Sequence, residues 1–209
     1  MADFKTHLSG GIVTGLGVSA VSFFTTELDI VQVFSVFVMG TVGGMLPDID
    51  SDSGKPLSFL FGILSVLLPA LLLTKINRQD GLSPEFLLSY FVIAYFIINN
   101  VICEIIKKLT VHRGIMHSIP FAVLSGEISY LLFISSGRTI AMIMGLAVFI
   151  GCIVHLILDE LNSFTFKFGI IPILKKSSGS ALKLKSDNNL ISIFMYLLII
   201  GITAVILLR

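Results

Sequence analysis

Seven apolar runs, each close to the length of a membrane-spanning helix, set the pattern of this chain. They cover Leu8 to Phe24, Ile30 to Leu46, Leu57 to Thr74, Phe86 to Ile106, Ile119 to Ser135, Thr139 to Leu158 and Leu190 to Leu208, the second being the shortest. About 20 apolar residues in helical conformation cross the hydrocarbon layer. The pattern therefore predicts an all-α, polytopic transmembrane helical bundle of about seven spans. No internal repeat or low-complexity linker divides it, so residues 1–209 read as a single integral membrane domain.

Composition supports the same solvent. Of the 209 residues 55% are hydrophobic and only 13% charged, and the mean hydropathy is +1.00. Soluble domains carry about 25% charged residues. The net charge of +1, with no basic surface interleaved with aromatic residues, gives no reason to expect a nucleic acid partner. Cys103 and Cys152 both lie in apolar runs, where a thiol behaves as a small hydrophobe. The first run has no small-residue cleavage pattern and is expected to be retained.

Lys and Arg in short loops orient a membrane protein. With a cytoplasmic N-terminus, ten of them fall inside: Lys5, Lys55, Lys107, Lys108, Arg113, Lys167, Lys175, Lys176, Lys183 and Lys185. Four fall outside: Lys75, Arg78, Arg138 and Arg209. The predicted topology is N-in and C-out. Residues 160–189 are too polar to span, and their phenylalanines and lysines suggest a basic, aromatic segment lying on the headgroup layer. Gly11 with Gly15, and Gly40 with Gly44, have the small-xxx-small spacing that lets membrane helices approach closely. Such an approach would bring His7 towards Asp48.

The chemistry-bearing residues gather on the side that the charge count places inside. All four histidines, His7, His112, His117 and His155, fall there, as do Asp48, Asp50, Asp52 and Asp159. His155 and Asp159 are four apart, on one helical face. Ionisable residues at the ends of apolar spans are costly and mark function. His112 and His117 are five apart, so they do not share a helical face, but Gly114 between them permits a bend that converges their rings. Three carboxylates at alternate positions, Asp48, Asp50 and Asp52, repel one another unless a cation compensates.

The expected ligands of a divalent metal are therefore His7, Asp48, Asp50, His112, His117, His155 and Asp159. Zinc fits, as one ion or two, and manganese or iron also suit such donors. Arg113 offers a fork for a substrate phosphate or carboxylate. Asp50 or Asp52 is available as a general base. Ser118 stands at the start of a helix, where it can cap or contact substrate.

This constellation resembles a family of bacterial inner-membrane proteins, the domain of unknown function 457, described as predicted membrane-bound metal-dependent hydrolases and as LexA-binding inner membrane-associated hydrolases. The resemblance rests on His7 ahead of a Gly-rich helix, on Leu46-Pro47-Asp48-Ile49-Asp50, on His112 to Ser118, and on His155 with Asp159. It runs from near the N-terminus to about Lys185. Met116 stands where that pattern has a threonine, and Asn162-Ser163 where it has Thr-Pro. The resemblance implies metal-dependent hydrolysis at the inner membrane through a metal-activated water. A likeness of motif type to zinc-dependent phospholipases C tilts the expected substrate towards a membrane lipid or lipid-linked phosphoester. A metal-ion or proton transporter using the same His/Asp cluster, and a non-catalytic protein with a structural metal, are the alternatives.

Overall fold

The computed structural model describes residues 3–50, 54–74, 83–105, 115–167, 171–174, 182–186 and 188–208. Seven α-helices are described: α1 (Phe4–Thr25), α2 (Ile30–Gly43), α3 (Gly54–Leu73), α4 (Pro84–Phe96), α5 (Ile119–Phe133), α6 (Arg138–Leu161) and α7 (Asn189–Leu207). Five helical segments are long and apolar enough to cross a membrane: α1, Pro84–Ile105, Ile119–Ser136, α6 and α7. Two shorter apolar helices, Ile30–Gly43 and Phe59–Leu73, accompany them.

The helix boundaries follow from local chemistry. Asp3 caps α1 by accepting from the Thr6 amide at 2.8 Å. Asp29 and Gln32 form a capping box at the start of α2. Ser83 followed by Pro84 opens α4, and Ser118 followed by Pro120 opens α5. Gly137, with φ of +113°, makes the tight link between α5 and α6.

The contacts group the chain into two compact units, Met1–Asp48 with Arg113–Arg209, and Ile49–His112, where the sequence reads as one domain. In the second unit, Phe61, Ile98 and Cys103 form a small core, and the Tyr90 hydroxyl donates to the Pro69 carbonyl at 2.9 Å. After α4 the helix loosens into a π-helical stretch, Ile97–Ile102, with Asn99 and Asn100 each donating back to the carbonyl four residues earlier.

In the first unit α1, α2 and α6 pack against one another, and α5 packs on α6 and α7. Glycines make the three-helix contact. A Cβ on Gly40 would lie 2.7 Å from Gly15 Cα, and one on Gly44 would lie 2.5 Å from Gly11 Cα. On the third helix, a Cβ on Gly151 would meet the Gly40 carbonyl at 2.5 Å and the Gly44 amide nitrogen at 2.7 Å. The backbones touch because no side chain separates them. The outer faces carry large apolar side chains, with Phe24 81% and Leu190 76% exposed, which suits a hydrocarbon solvent and not water.

Part of the segment after α6 is a two-stranded antiparallel ribbon, β1 (Phe164–Lys167) and β2 (Ile171–Leu174), with Phe164 opposite Leu174. The sequence reading of 160–189 as chain lying on headgroups does not contain this pairing. The alternation of aromatic and polar residues over four positions is its only local signal. The chain then returns to the start of α5, where the Ile119 amide donates to the Lys183 carbonyl at 3.1 Å.

Overpacking at the glycine contact generates a test. Gly40→Leu should cost about 1–3 kcal/mol, because its neighbour is backbone that cannot yield. Gly17→Ala, with nothing within 4 Å of its new methyl group, should change stability by less than about 0.5 kcal/mol. Thermal unfolding of the two variants in detergent measures the difference.

Candidate metal centre

The glycine contact fixes where the polar side chains meet. His7 lies four residues before Gly11, Asp48 four after Gly44, and His155 four after Gly151. Four residues are about one helical turn. Each of the three segments thus delivers one polar side chain about a turn beyond the point where the backbones touch. Asp48 sits on the 3-10 turn Leu46–Asp50 that follows α2. Asp159 comes from the last turns of α6, and His117 from the residue before the Ser118 cap of α5.

These five side chains form one buried cluster. His7 is 2% exposed, His117 and His155 1% each, Asp159 3% and Asp48 7%. His7 Nε2 lies 3.3 Å from Asp159 Oδ1, and His117 Nε2 lies 3.7 Å from Asp159 Oδ2. Both His117 Nε2 and His155 Nε2 lie 3.6 Å from Asp48 Oδ1. His155 Nε2 is 4.0 Å from Asp159 Oδ2. The His7 and His155 rings stack at 3.7 Å with 13° between their planes.

One contact sets the chemical state of the cluster. His155 Nδ1 lies 2.8 Å from the Gly44 carbonyl oxygen, which can only accept, so Nδ1 carries the proton. In the neutral ring Nε2 then presents a lone pair to the carboxylates, where it makes no hydrogen bond among the described residues. Neither ring nitrogen of His7 makes a hydrogen bond among the described residues, although Nε2 lies 3.3 Å from Asp159 Oδ1. Buried polar atoms left without partners cost free energy, and a shared cation removes that cost.

The spacings fit that use. At 3.3 to 4.0 Å the donor atoms are too far apart for good hydrogen bonds, which run to about 3.2 Å. Two donors held about 2.0–2.1 Å from a common ion at a tetrahedral angle sit about 3.3–3.4 Å apart, and wider angles carry them to about 4 Å. Two triads meet the requirement that all their donors lie within 4.8 Å of one another: His7, Asp48 and His155, and His117, His155 and Asp159. His155 belongs to both. Asp159 turns its two oxygens to different histidines, as a bridging carboxylate does.

Electrostatics at Asp48 agree with a cation-ready site. Burial pushes its carboxyl upward, but His117, at 3.6 Å, and the charge of His155 and His7 when those rings are protonated outweigh burial and hold it below the usual carboxylate range.

Of the expected ligands, the fold brings together His7, Asp48, His117, His155 and Asp159. His112, Arg113 and Asp52 lie outside the described residues, and Asp50 is described only as the last backbone position of its 3-10 turn. Ser118 is buried and its hydroxyl is committed: it donates to the Ile115 carbonyl and accepts from the Phe121 amide at 3.3 Å. Its place is to start α5 directly after His117. Sequence reasoning passes over Glu127, in the middle of α5, whose carboxylate accepts from the Thr203 hydroxyl of α7. A lone acid inside an apolar run is the signal for it.

The chain belongs to the YdjM inner membrane protein family, whose family model matches residues 1–208. It is an inner membrane protein, in accord with its apolar helices. No curated protein matches the chain, and no solved structure matches it.

The depressed Asp48 carboxyl gives a pH prediction. A group whose folded pKa lies below its unfolded value stabilises the fold above the unfolded value and loses that stabilisation as pH falls through the folded one. The metal-free protein should lose stability below about pH 4, near the ordinary Asp value. Asp48→Asn should flatten that acid limb, as followed by thermal unfolding across pH in detergent.

Proposed function

We propose that this inner membrane protein is a metal-dependent hydrolase whose site lies at the cytoplasmic end of the helical bundle and which cleaves a membrane lipid or lipid-linked phosphoester. The observation that carries the reading is the His155 contact with the Gly44 carbonyl, which aims a buried lone pair at two carboxylates. A histidine satisfied by its neighbours would not need that arrangement.

His7, Asp48, His117, His155 and Asp159 would hold the ion, with Asp50 and His112 as further donors from the same stretches. Three imidazoles and two carboxylates suit zinc, as one ion or two, with manganese or iron also compatible. A bound divalent metal supplies a Lewis acid that polarises a phosphoryl oxygen and acidifies water.

The remaining steps belong to the chain. The Gly44 carbonyl locks the His155 tautomer, as a positioning partner of a metal-binding histidine does. Five clustered donors exceed the four of a tetrahedral site, so a carboxylate is left over to orient or accept a proton. Asp50, the last residue of the 3-10 turn, or Asp52, two positions later in the sequence, would be the general base. Arg113, four residues ahead of His117 in the chain, would take the anionic oxygens of the substrate. The count of ten Lys and Arg against four assigns this end to the cytoplasm.

A second reading draws on the depth of burial. A metal closed in on every side would staple the ends of α1, α2, α5 and α6 without turnover. The transporter alternative gains less support, because the described donors sit at one end of the first unit and not along its length.

Metal analysis and turnover separate these readings. Purified protein should carry a divalent transition metal, and His155→Ala should weaken its retention at least about tenfold. Phosphate release from lipid phosphates should fall to background in Asp159→Ala. Arg113→Ala should keep the metal and lower kcat/KM about a hundredfold. Metal retained without turnover on any lipid phosphoester would favour the staple, and metal content unchanged in His155→Ala would remove the site.

A further inference from the structure

The seam between α1 and α6 carries two open surface grooves in line. The first, about 560 Å³, opens beside Gly10, Val13, Val154 and Leu158, with Lys5 and Ser9 at its outer end. The second, about 330 Å³, continues along the same two helices past Gly17, Val21 and Ile150. Both lie within the first compact unit. Polarity is graded along this seam. Lys5, Thr6 and Ser9 stand at the His7 end, and beyond Val13 the only polar side chains lining the seam among the described residues, Thr14, Ser22, Thr25 and Thr26, turn their hydroxyls onto α1 carbonyls and leave a largely apolar wall.

The groove runs close behind the metal cluster. Gly10 is three residues from His7 on α1, and Leu158 adjoins Asp159 on α6. Asp3, the one carboxylate at the mouth, is occupied by the Thr6 amide and hydroxyl at 2.8 and 2.5 Å. Lys5 is exposed beside it, a cation at the end of an apolar slot. Gly17 has nothing within 4 Å of the position its Cβ would take, so the slot is open at its middle because that residue has no side chain.

We propose that the α1/α6 seam is an acyl-chain groove for an anionic phospholipid of the surrounding membrane, with the phosphate held at the Lys5 end and Gly17 setting the chain length admitted. A chain entering at Gly10 reaches Gly17 after about 10 Å, at 1.5 Å per residue of helix. Snorkelling places the Lys5 ammonium at headgroup level while its stem lies along the slot. The assignment of this lipid as substrate rests on the hydrolase reading above. Its residence in the groove does not.

Retention of two defined lipids tests it. Full-length protein in neutral detergent is exchanged with dipalmitoyl or dioctanoyl phosphatidate, and the bound lipid is quantified by native mass spectrometry. Gly17→Phe should lower retention of dipalmitoyl phosphatidate about tenfold and leave the dioctanoyl lipid within about twofold, with metal content and thermal stability unchanged. Gly17→Leu, a smaller plug, is the second variant should the first fail to fold. Lys5→Glu should abolish the preference for phosphatidate over uncharged dipalmitoyl glycerol. Equal retention of the long-chain lipid by wild type and a folded Gly17 variant would overturn the groove, as would an unchanged headgroup preference in Lys5→Glu. Absence of turnover by wild type with chain-length discrimination intact would overturn the hydrolase reading alone and support the groove.

Discussion

The close approach of three backbones at Gly44 is the constraint on which the rest of the described site depends. Gly44 is pressed against Gly11 of α1 and against Gly151 of α6, and its carbonyl receives the His155 Nδ1 proton. One residue thus serves as packing contact and as tautomer lock. A side chain at Gly11, Gly44 or Gly151 would separate the backbones, and about one turn away His7, Asp48 and His155 would separate with them. In a bilayer no hydrophobic force draws helices together, so small residues that allow backbone contact take that role.

That constraint also explains how so many polar groups survive at the end of an apolar bundle. Three imidazoles and two carboxylates, each no more than 7% exposed, would be costly as isolated groups. They are less costly as a set, because carboxylates lie opposite imidazole nitrogens at 3.3 to 4.0 Å and the donors fall into two triads with the spacing of cation ligands. The depressed Asp48 carboxyl belongs to the same balance, with its neighbours outweighing the effect of burial.

Much of this was legible in the sequence for physical reasons that act locally. Apolar length located the helices, so the run Asn189–Leu207 differs from its expected limits by a residue at each end. The glycine spacing identified the faces of α1 and α2 that touch. The His155 and Asp159 pair followed from helical periodicity, and of the histidines that the charge count grouped, His7, His117 and His155 do meet. What could not be read was anything set by contacts between distant residues. The partner of His155 is a backbone carbonyl 111 residues away, and a carbonyl leaves no mark in a sequence. Gly151, four residues after Ala147, has the small-xxx-small spacing too, but that spacing does not say that its contact is with Gly40 and Gly44. The β1/β2 ribbon depends on pairing between two segments, which four-residue strands announce weakly. The commitment of Ser118 to its cap is local, but the return of Lys183 to pair beside it is not.

The same glycine logic distinguishes contact from vacancy along α1. Gly11 and Gly15 are small because another backbone occupies the space a side chain would need. Gly17, two residues on, faces nothing within 4 Å, so packing gives no reason for its smallness. The helical twist turns it away from α2 and onto the seam with α6, where the apolar walls leave an open slot. Successive glycines on one helix thus build two different things: a backbone contact that assembles the polar cluster, and a gap in the outer surface along α6. The polar cluster is buried among its own helices, whereas the seam between α1 and α6 is where those helices leave room at the surface.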